Sequence, residues 1–208
     1  MIYAHEIKEK KTRYVGPRPG YPEADPRGWE IFDDYLIGRE LDPLLARVNG
    51  WYPAVYKQAP RIVIPCSNKA GVPYFQARDV SGKATLRYES PPASRDDSIV
   101  IVWPLEAAKG TVILEGPMCA LAAAALHYVG IAVMGNRPSR DVLSHIASLV
   151  RAFQPVQVVP DADMADLGVA MVSWLGQEGI SCLLRLPPKK DLAEMEPKER
   201  KSFLGLRS

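Results

Sequence analysis

The sequence contains only three cysteines and three histidines in 208 residues. Cys66, Cys119 and Cys182 are far apart, so the chain has neither the C-x-x-C pairs of zinc ribbons nor a disulfide framework. Each cysteine lies in an apolar stretch, which predicts buried, reduced thiols and a cytoplasmic location. The histidines are isolated from other metal-ligating side chains and are assigned no chemistry.

Several other features are absent from the sequence. No apolar run of about 18 residues occurs, so a membrane span is not expected, and no secretory signal opens the chain. We find no phosphate-binding glycine-rich loop, dinucleotide fingerprint or Ser-His-Asp arrangement. The net charge is only +2, so any surface that binds nucleic acid must be local.

Two apolar runs end in acidic residues. Glu115 follows the run 111–114, and Asp161 and Asp163 follow the run 156–160. Such runs are typical of buried strands in a parallel sheet, and ligands bind beyond the carboxyl ends of those strands. We therefore expect Glu115, Asp161 and Asp163 to meet at one edge. Carboxylates that close repel one another unless a cation lies between them, so the pattern predicts a Mg²⁺-dependent phosphoryl-transfer site.

The same acids also allow a purely structural interpretation. Glu115 could be a charge at the exposed end of a strand. Asp163 and Asp166 could cap and charge the start of a helix. Residue pattern alone leaves both interpretations open.

Residues 1–28 are predicted to form an extended arm, because four prolines between positions 17 and 26 prevent a long helix. Six basic residues are scattered along it: Lys8, Lys10, Lys11, Arg13, Arg18 and Arg27. The arm either binds nucleic acid or a partner, or is a solvated tail on the surface.

The next region, residues 29–104, is predicted to combine short helices with β-structure. Trp29–Ile37 forms one helix, and Asp42 with Pro43 begins a second. Strands at 61–65, 72–80 and 84–90, joined by short turns, predict an antiparallel meander, with a further strand at 99–103. The meander carries four basic residues that form either a solvated face or a phosphate-binding surface: Arg61, Arg78, Lys83 and Arg87.

From residue 105 the pattern alternates between strands and helices. Strands are predicted at 111–116, 131–135, 156–160 and 180–186, and helices at 117–128, 139–153 and 163–178. This alternation predicts a small parallel sheet with helices on its faces. The charged stretch 188–201 is predicted to be a surface helix or a frayed tail.

A strand that ends in Glu115-Gly116, followed by Asp161-x-Asp163, resembles a TOPRIM domain, the fold of bacterial-type primases, topoisomerases and certain nucleases. The segments YLIGREL (35–41), RIVIP (61–65) and LRYESP (86–91) resemble the catalytic core of bacterial and phage DNA primases. The likeness covers roughly residues 35–195.

This resemblance implies a TOPRIM-type parallel sheet flanked by helices, preceded by an α+β subdomain with the meander. The implied division is an arm (1–28), an N-terminal subdomain (29–104), a TOPRIM domain (105–195) and a charged tail (196–208). A topoisomerase is not expected, because the chain lacks room for a strand-gating domain.

The resemblance also implies an activity, the synthesis of RNA primers on single-stranded DNA from nucleoside triphosphates with Mg²⁺ or Mn²⁺. Glu115, Asp161 and Asp163 would be catalytic, and Asp191 would join them as a metal ligand. Phage or mobile-element replication, in a bacterial or phage-infected cell, is the implied setting. The alternatives are a TOPRIM nuclease and a non-catalytic module that binds nucleic acid or a replication partner.

The sequence departs from the primase pattern at several positions. Ala193 stands where the family has a second aspartate after Asp191, and Arg87 replaces a lysine. No zinc module precedes the core and no helicase-binding domain follows it. We therefore expect template choice to depend on a partner, such as a helicase or a zinc-module replication protein, or on the arm.

Overall fold

The computed structural model of the protein describes residues 20–68, 73–92, 98–134 and 138–205. Its helices are α1 (Trp29–Ile37), α2 (Pro43–Val48), α3 (Pro117–Ala124), α4 (Arg140–Val150), α5 (Ala165–Gln177) and α6 (Pro197–Leu204). Its strands are β1 (Tyr52–Tyr56), β2 (Ala59–Pro65), β3 (Phe75–Asp79), β4 (Tyr88–Glu89), β5 (Val100–Val102), β6 (Thr111–Leu114), β7 (Val129–Ala132), β8 (Val156–Val159) and β9 (Cys182–Leu184). Short 3-10 turns cover Pro26–Gly28, Ala162–Met164 and Leu192–Glu194.

Local capping signals set several helix boundaries. The Asp42 carboxylate accepts hydrogen bonds from two amides in the first turn of α2, and Pro43 occupies the first helical position, where no amide partner is lost. The Ser139 hydroxyl accepts a hydrogen bond from the amide of Val142 and begins α4. The predicted helices at Trp29–Ile37 and after Asp42 are confirmed.

Strands β1 to β4 form an antiparallel meander in that order. Sequence patterns predict three of these strands and miss β1, which contains Pro53. This strand lies at the edge of the sheet, where a proline is tolerated. The strand predicted over 84–90 is reduced to Tyr88–Glu89. A turn precedes it, and there the carboxylate of Asp79 accepts hydrogen bonds from the amide and hydroxyl of Ser81.

Strands β5 to β9 form the larger sheet, in the order β5-β7-β6-β8-β9. Strands β6 to β9 are parallel, and β5 pairs antiparallel with β7. The predicted fold class, a mostly parallel sheet preceded by an antiparallel meander, is confirmed. β5 lies within residues 29–104 but pairs with the larger sheet, and the division into 1–28, 29–104, 105–195 and 196–208 stays a prediction.

Both faces of the larger sheet are covered, which explains its continuous apolar runs. On β6, Val112 and Leu114 join a core with α3 and β2, whereas Ile113 packs in a second core with α4 and α5. Every residue of α3 is buried. Its alanines allow close approach to β7, where a Cβ on Gly130 would lie 2.2 Å from the carbonyl oxygen of Ala120.

Helix α3 is shorter than the helix predicted over 117–128. The chain leaves the helix through His127, which adopts a left-handed conformation with φ of 70°. The amide of Tyr128 donates to the carbonyl of Ala123, and the amide of His127 donates to Ala124. This is the hydrogen-bond pattern of a Schellman cap. Gly130, two residues after the predicted end of the helix, lies within β7.

The N-terminal end of the described chain packs on the meander. The ring centroids of Tyr21 and Phe75 are 5.3 Å apart, and the hydroxyl of Tyr52 donates to the carbonyl of Pro22. Residues 20–28 of the predicted arm therefore lie against the sheet. The rest of the arm, and the predicted strand residues 72 and 135, are outside the described residues.

The charged C-terminal stretch is also ordered by packing. Helix α6 buries Arg200 and Leu204, and the Tyr128 hydroxyl donates to the carbonyl of Leu204. Of the two predictions for 188–201, the helix is correct for its C-terminal part. None of the helices in the described ranges is long and apolar enough to span a bilayer.

Candidate active site

Glu115 and Asp161 lie at the same edge of the larger sheet. Strands β6 and β8 are parallel neighbours, and their last residues, Leu114 and Val159, are directly opposite each other. Glu115 follows β6 at once, and Asp161 follows β8 after one proline. Asp163 lies in the 3-10 turn that begins beside Asp161. The carboxyl ends of neighbouring strands thus bring the three predicted acids together.

A second loop brings Asp191 to this cluster. The amide of Ala162 donates a 2.8 Å hydrogen bond to the carbonyl oxygen of Lys190. Asp191 caps the following 3-10 turn, because its Oδ1 accepts a 2.9 Å hydrogen bond from the amide of Glu194. The structure therefore places all four acids that were assigned from sequence in one cluster, which we call the acidic cluster: Glu115, Asp161, Asp163 and Asp191.

Burial and mutual repulsion disturb the titration of the acidic cluster. Burial, then the charges of Asp163 and Asp191, raise the pKa of Glu115. Burial, then the charge of Glu115, raise the pKa of Asp161 from 3.8 to about 7. The ammonium of Lys190 opposes both shifts but does not cancel them. The cluster thus favours bound protons or a bound cation over bare negative charge.

The donor atoms of the acidic cluster fit a hard divalent cation. The Oε2 atom of Glu115 is buried and has no hydrogen-bond partner in the described part of the chain. A buried carboxylate oxygen without a donor requires a bound proton or a cation. Oxygen ligands from carboxylates are the set that Mg²⁺ and Mn²⁺ prefer. The residues present therefore fit the metal that the sequence predicts.

Cys119 is a neighbour of the acidic cluster that sequence reasoning did not assign. Its Sγ atom and carboxylate oxygens of Asp161 and Asp191 all lie within 4.8 Å of one another. Burial, then the charge of Asp191, raise the pKa of the thiol, so it stays protonated and is a poor ligand for a hard cation. The available signal was its position in the first turn of α3, four residues after Glu115.

The four basic residues predicted to contact phosphate separate into buried and exposed pairs. Arg61 is only 3% exposed, and its Nη1 donates to the carbonyl oxygens of Ala77 and Leu86 at 3.0 and 3.2 Å. Its guanidinium therefore stabilises the interior of the meander instead of lying on a surface. Lys83 and Arg87 are exposed.

Arg78 belongs to a cationic and aromatic cluster between α1 and the meander. Its guanidinium carbon lies 4.8 Å from the ring centroid of Tyr88 and 5.7 Å from that of Tyr35. The Arg39 guanidinium lies 5.9 Å from the same Tyr35 ring. Among the described residues, neither arginine forms an ion pair with a carboxylate. We call this group the arginine–tyrosine cluster: Tyr35, Arg39, Arg78 and Tyr88.

Sequence reasoning assigned only Arg78 from the arginine–tyrosine cluster. Tyr35 and Arg39 both lie in the segment YLIGREL (35–41), on which the primase resemblance rests, and this was the signal that could have added them. Two guanidinium groups without a carboxylate partner leave uncompensated positive charge, which suits an anionic ligand.

No protein-family model matches the chain, and no curated protein matches it in sequence. Solved structures do match its fold. The primase fragment of the bacteriophage T7 primase-helicase protein aligns with a TM-score of 0.61 and 16% identity, over 95% of this chain and 83% of that chain. The DnaG primase catalytic domain bound to single-stranded DNA aligns with a TM-score of 0.55 and 14% identity, over 99% of this chain and 80% of that chain.

A third structure, the Aquifex aeolicus primase with its zinc-binding and RNA polymerase domains, aligns with a TM-score of 0.57 and 17% identity. The alignment covers 83% of this chain, which spans about half (52%) of the Aquifex chain. At these identities the likeness concerns the fold, and the fold is that of primase catalytic fragments.

Proposed function

We propose that the protein is a primase-type nucleotidyltransferase that joins nucleoside triphosphates into RNA primers on single-stranded DNA. In this proposal, residues 105–195 form a TOPRIM domain and residues 29–104 form the subdomain that faces it. The observation that carries the proposal is the convergence of four carboxylates at the carboxyl edge of the larger sheet. The likeness of the fold to primase catalytic fragments supports interpreting these carboxylates as a nucleotidyl-transfer site.

The acidic cluster would hold Mg²⁺ or Mn²⁺ through Glu115, Asp161, Asp163 and Asp191. When bound, the metal lowers the pKa of an attacking 3′-hydroxyl and neutralises charge on the triphosphate. The carboxylates supply the ligand oxygens and fix their position on rigid strand ends. Because burial and the charge of Glu115 raise the pKa of Asp161 to about 7, metal binding near neutral pH would displace a proton from this carboxyl.

The basic residues would bind the anionic substrates. Arg39, which is half-buried and lacks a carboxylate partner among the described residues, suits the triphosphate, and the exposed Lys83 and Arg87 suit the template backbone. Arg78 is only 5% exposed and would support Arg39 through the Tyr35 ring that both guanidinium groups contact. Template choice would come from residues 1–19 or from a helicase or zinc-module partner. The phage or mobile-element source stays a prediction.

The test is incubation of the pure protein with single-stranded DNA, labelled nucleoside triphosphates and Mn²⁺. We expect labelled products longer than the input nucleotides. Glu115→Gln should remove them, because it replaces a ligand oxygen at the centre of the cluster. Glu106→Gln is the matched control and should retain activity, since Glu106 is on the surface with a side chain 74% exposed.

The other two candidate functions are distinct outcomes of the same assay. If the wild type shortens the DNA and Glu115→Gln does not, the protein is a metal-dependent nuclease. DNA binding without any product would assign a non-catalytic module, and buried Ala193 in place of the family's second aspartate is the feature that makes this outcome worth testing.

A further inference from the structure

Arg200 of helix α6 is a buried cation that is bound by backbone carbonyls. The residue is only 4% exposed to solvent. Its Nε and Nη2 atoms donate to the carbonyl oxygens of Leu192 and Ala193 at 3.1 and 2.8 Å. Its Nη1 and Nη2 atoms donate to the carbonyls of Glu40 and Arg39 at 2.9 and 3.3 Å.

These four acceptors belong to two functionally different segments. Leu192 and Ala193 form the turn capped by Asp191, one of the acids of the acidic cluster. Arg39 and Glu40 follow α1, and Arg39 belongs to the arginine–tyrosine cluster. One planar guanidinium therefore joins the backbone that carries a proposed metal ligand to the backbone that carries a proposed phosphate ligand.

The Arg39–Glu40 segment contains a strained backbone conformation, which the hydrogen bonds from Arg200 help to stabilise. Glu40 adopts a left-handed conformation with φ of 55°, which disfavours residues with a Cβ. Among the described residues, Arg200 forms no ion pair with a carboxylate. The partners of its guanidinium there are the four backbone carbonyls. Burying a guanidinium costs free energy, and hydrogen bonds to carbonyls offset this cost only while the carbonyls stay in position.

We infer that Arg200 is a positioning residue that fixes the Asp191 turn relative to the Arg39–Glu40 segment, and so sets the placement of the acidic cluster against the arginine–tyrosine cluster. This inference rests on the proposed function, because it concerns the same site. Arg200 does not touch a reacting group. It acts by holding the main chain on both sides of the site.

The test compares Arg200→Lys with Arg185→Lys. A lysine keeps the charge but lacks the planar fork that reaches both pairs of carbonyls. Arg185 is the matched control, because its Nη1 also anchors the α6 segment, through the carbonyl of Phe203 at 2.8 Å, and its side-chain hydrogen bonds to described residues go to Phe203 and Gly205. We expect Arg200→Lys to weaken Mn²⁺ binding by about tenfold, the effect typical of losing a group that supports metal ligands. Arg185→Lys should leave it unchanged.

Hydrogen exchange separates positioning from general stability. Well below the melting temperature, Arg200→Lys should speed exchange of the amides at 38–41 and at 192–195, and Arg185→Lys should not. The inference is overturned if both variants show the same exchange in these segments and the same Mn²⁺ affinity. If the wild type binds no Mn²⁺, the proposed function fails, and the exchange data alone decide whether Arg200 links the two segments.

A measurement on the wild type covers the case in which Arg200→Lys does not fold. Saturating Mn²⁺ should slow exchange at 192–195 and also at 38–41, because Arg200 transmits the ordering between them. Slower exchange at 192–195 alone would overturn the inference.

Discussion

The amide of Ala162 donates a 2.8 Å hydrogen bond to the carbonyl oxygen of Lys190, and this contact joins the two loops that carry the acidic cluster. Asp161 precedes the donor and Asp191 follows the acceptor. The two aspartates are therefore held close although they are 30 positions apart in the chain. Because the fold keeps the two carboxylates close, they repel each other when both are ionised, and a bound cation or proton offsets this repulsion.

Removing a carboxylate from the acidic cluster should abolish metal binding while leaving the fold intact. We expect Glu115→Gln and Asp161→Asn to lose Mn²⁺ binding by calorimetry and to lose activity. Both variants should melt at a temperature equal to or above that of the metal-free wild type, since repulsion is relieved. Undiminished Mn²⁺ binding in both variants would rule out the assignment of these acids as ligands.

The stability of the metal-free protein should depend on the titration of Asp161. Its pKa is raised from 3.8 to about 7, so the folded state binds this proton more tightly than the unfolded chain does. The resulting stability is present below about pH 4 and is lost as the pH rises to about 7. The melting temperature of Asp161→Asn relative to wild type should therefore increase from about pH 4 to about pH 8. A constant difference would contradict the raised pKa.

Exposed and buried basic residues of the meander should respond differently to substitution. Lys83→Ala and Arg87→Ala should each reduce the magnitude of the salt dependence of single-stranded DNA binding by about 0.7, without changing stability. Arg61→Ala should lower the melting temperature, because it removes a buried guanidinium that donates to the carbonyls of Ala77 and Leu86. Lys109→Ala is the control, since Lys109 precedes β6 at the opposite edge of the sheet. Equal salt slopes for Lys83, Arg87 and Lys109 variants would make the meander a solvated face.

The contact between α3 and β7 should tolerate no side chain at Gly130. A Cβ there would lie 2.2 Å from the carbonyl oxygen of Ala120, which is a backbone atom of the buried helix α3. Gly130→Ala should therefore destabilise the protein by roughly 1–3 kcal/mol in a denaturant melt. At Gly116 a Cβ has no neighbour within 4 Å, so Gly116→Ala should retain wild-type stability. Equal melts for the two variants would contradict this packing.

The basic arm should contribute affinity for DNA but not for metal. Residues 20–28 pack on the meander, so deletion of residues 1–19 is a cleaner test than removal of the whole predicted arm. We expect weaker binding to single-stranded DNA with unchanged Mn²⁺ affinity, because none of the four carboxylates of the acidic cluster lies in the arm. Unchanged DNA affinity after this deletion would make the arm a solvated tail.

Local sequence signals predicted the elements that depend on neighbouring residues. The cap formed by Asp42 and Pro43, the continuous apolar run of β6 and the acids that follow β6 and β8 are properties of short segments. The alternation of strands and helices then predicts that β6 and β8 run parallel, with their carboxyl ends at one edge of a sheet. This is why the meeting of Glu115 with Asp161 could be predicted without coordinates. That β8 lies directly beside β6 was decided by the fold.

Only the tertiary structure distinguished residues that look alike in the sequence. Arg61 and Arg87 are both basic residues in predicted strands, yet one is buried against carbonyls and the other is exposed, because Arg61 lies within β2 whereas Arg87 lies in the turn before β4. Arg200 lies in a stretch whose charge predicts a solvated surface, but it binds the carbonyl of Glu40, 160 positions away. Contacts over such distances depend on how packed elements meet, and no local pattern encodes that meeting.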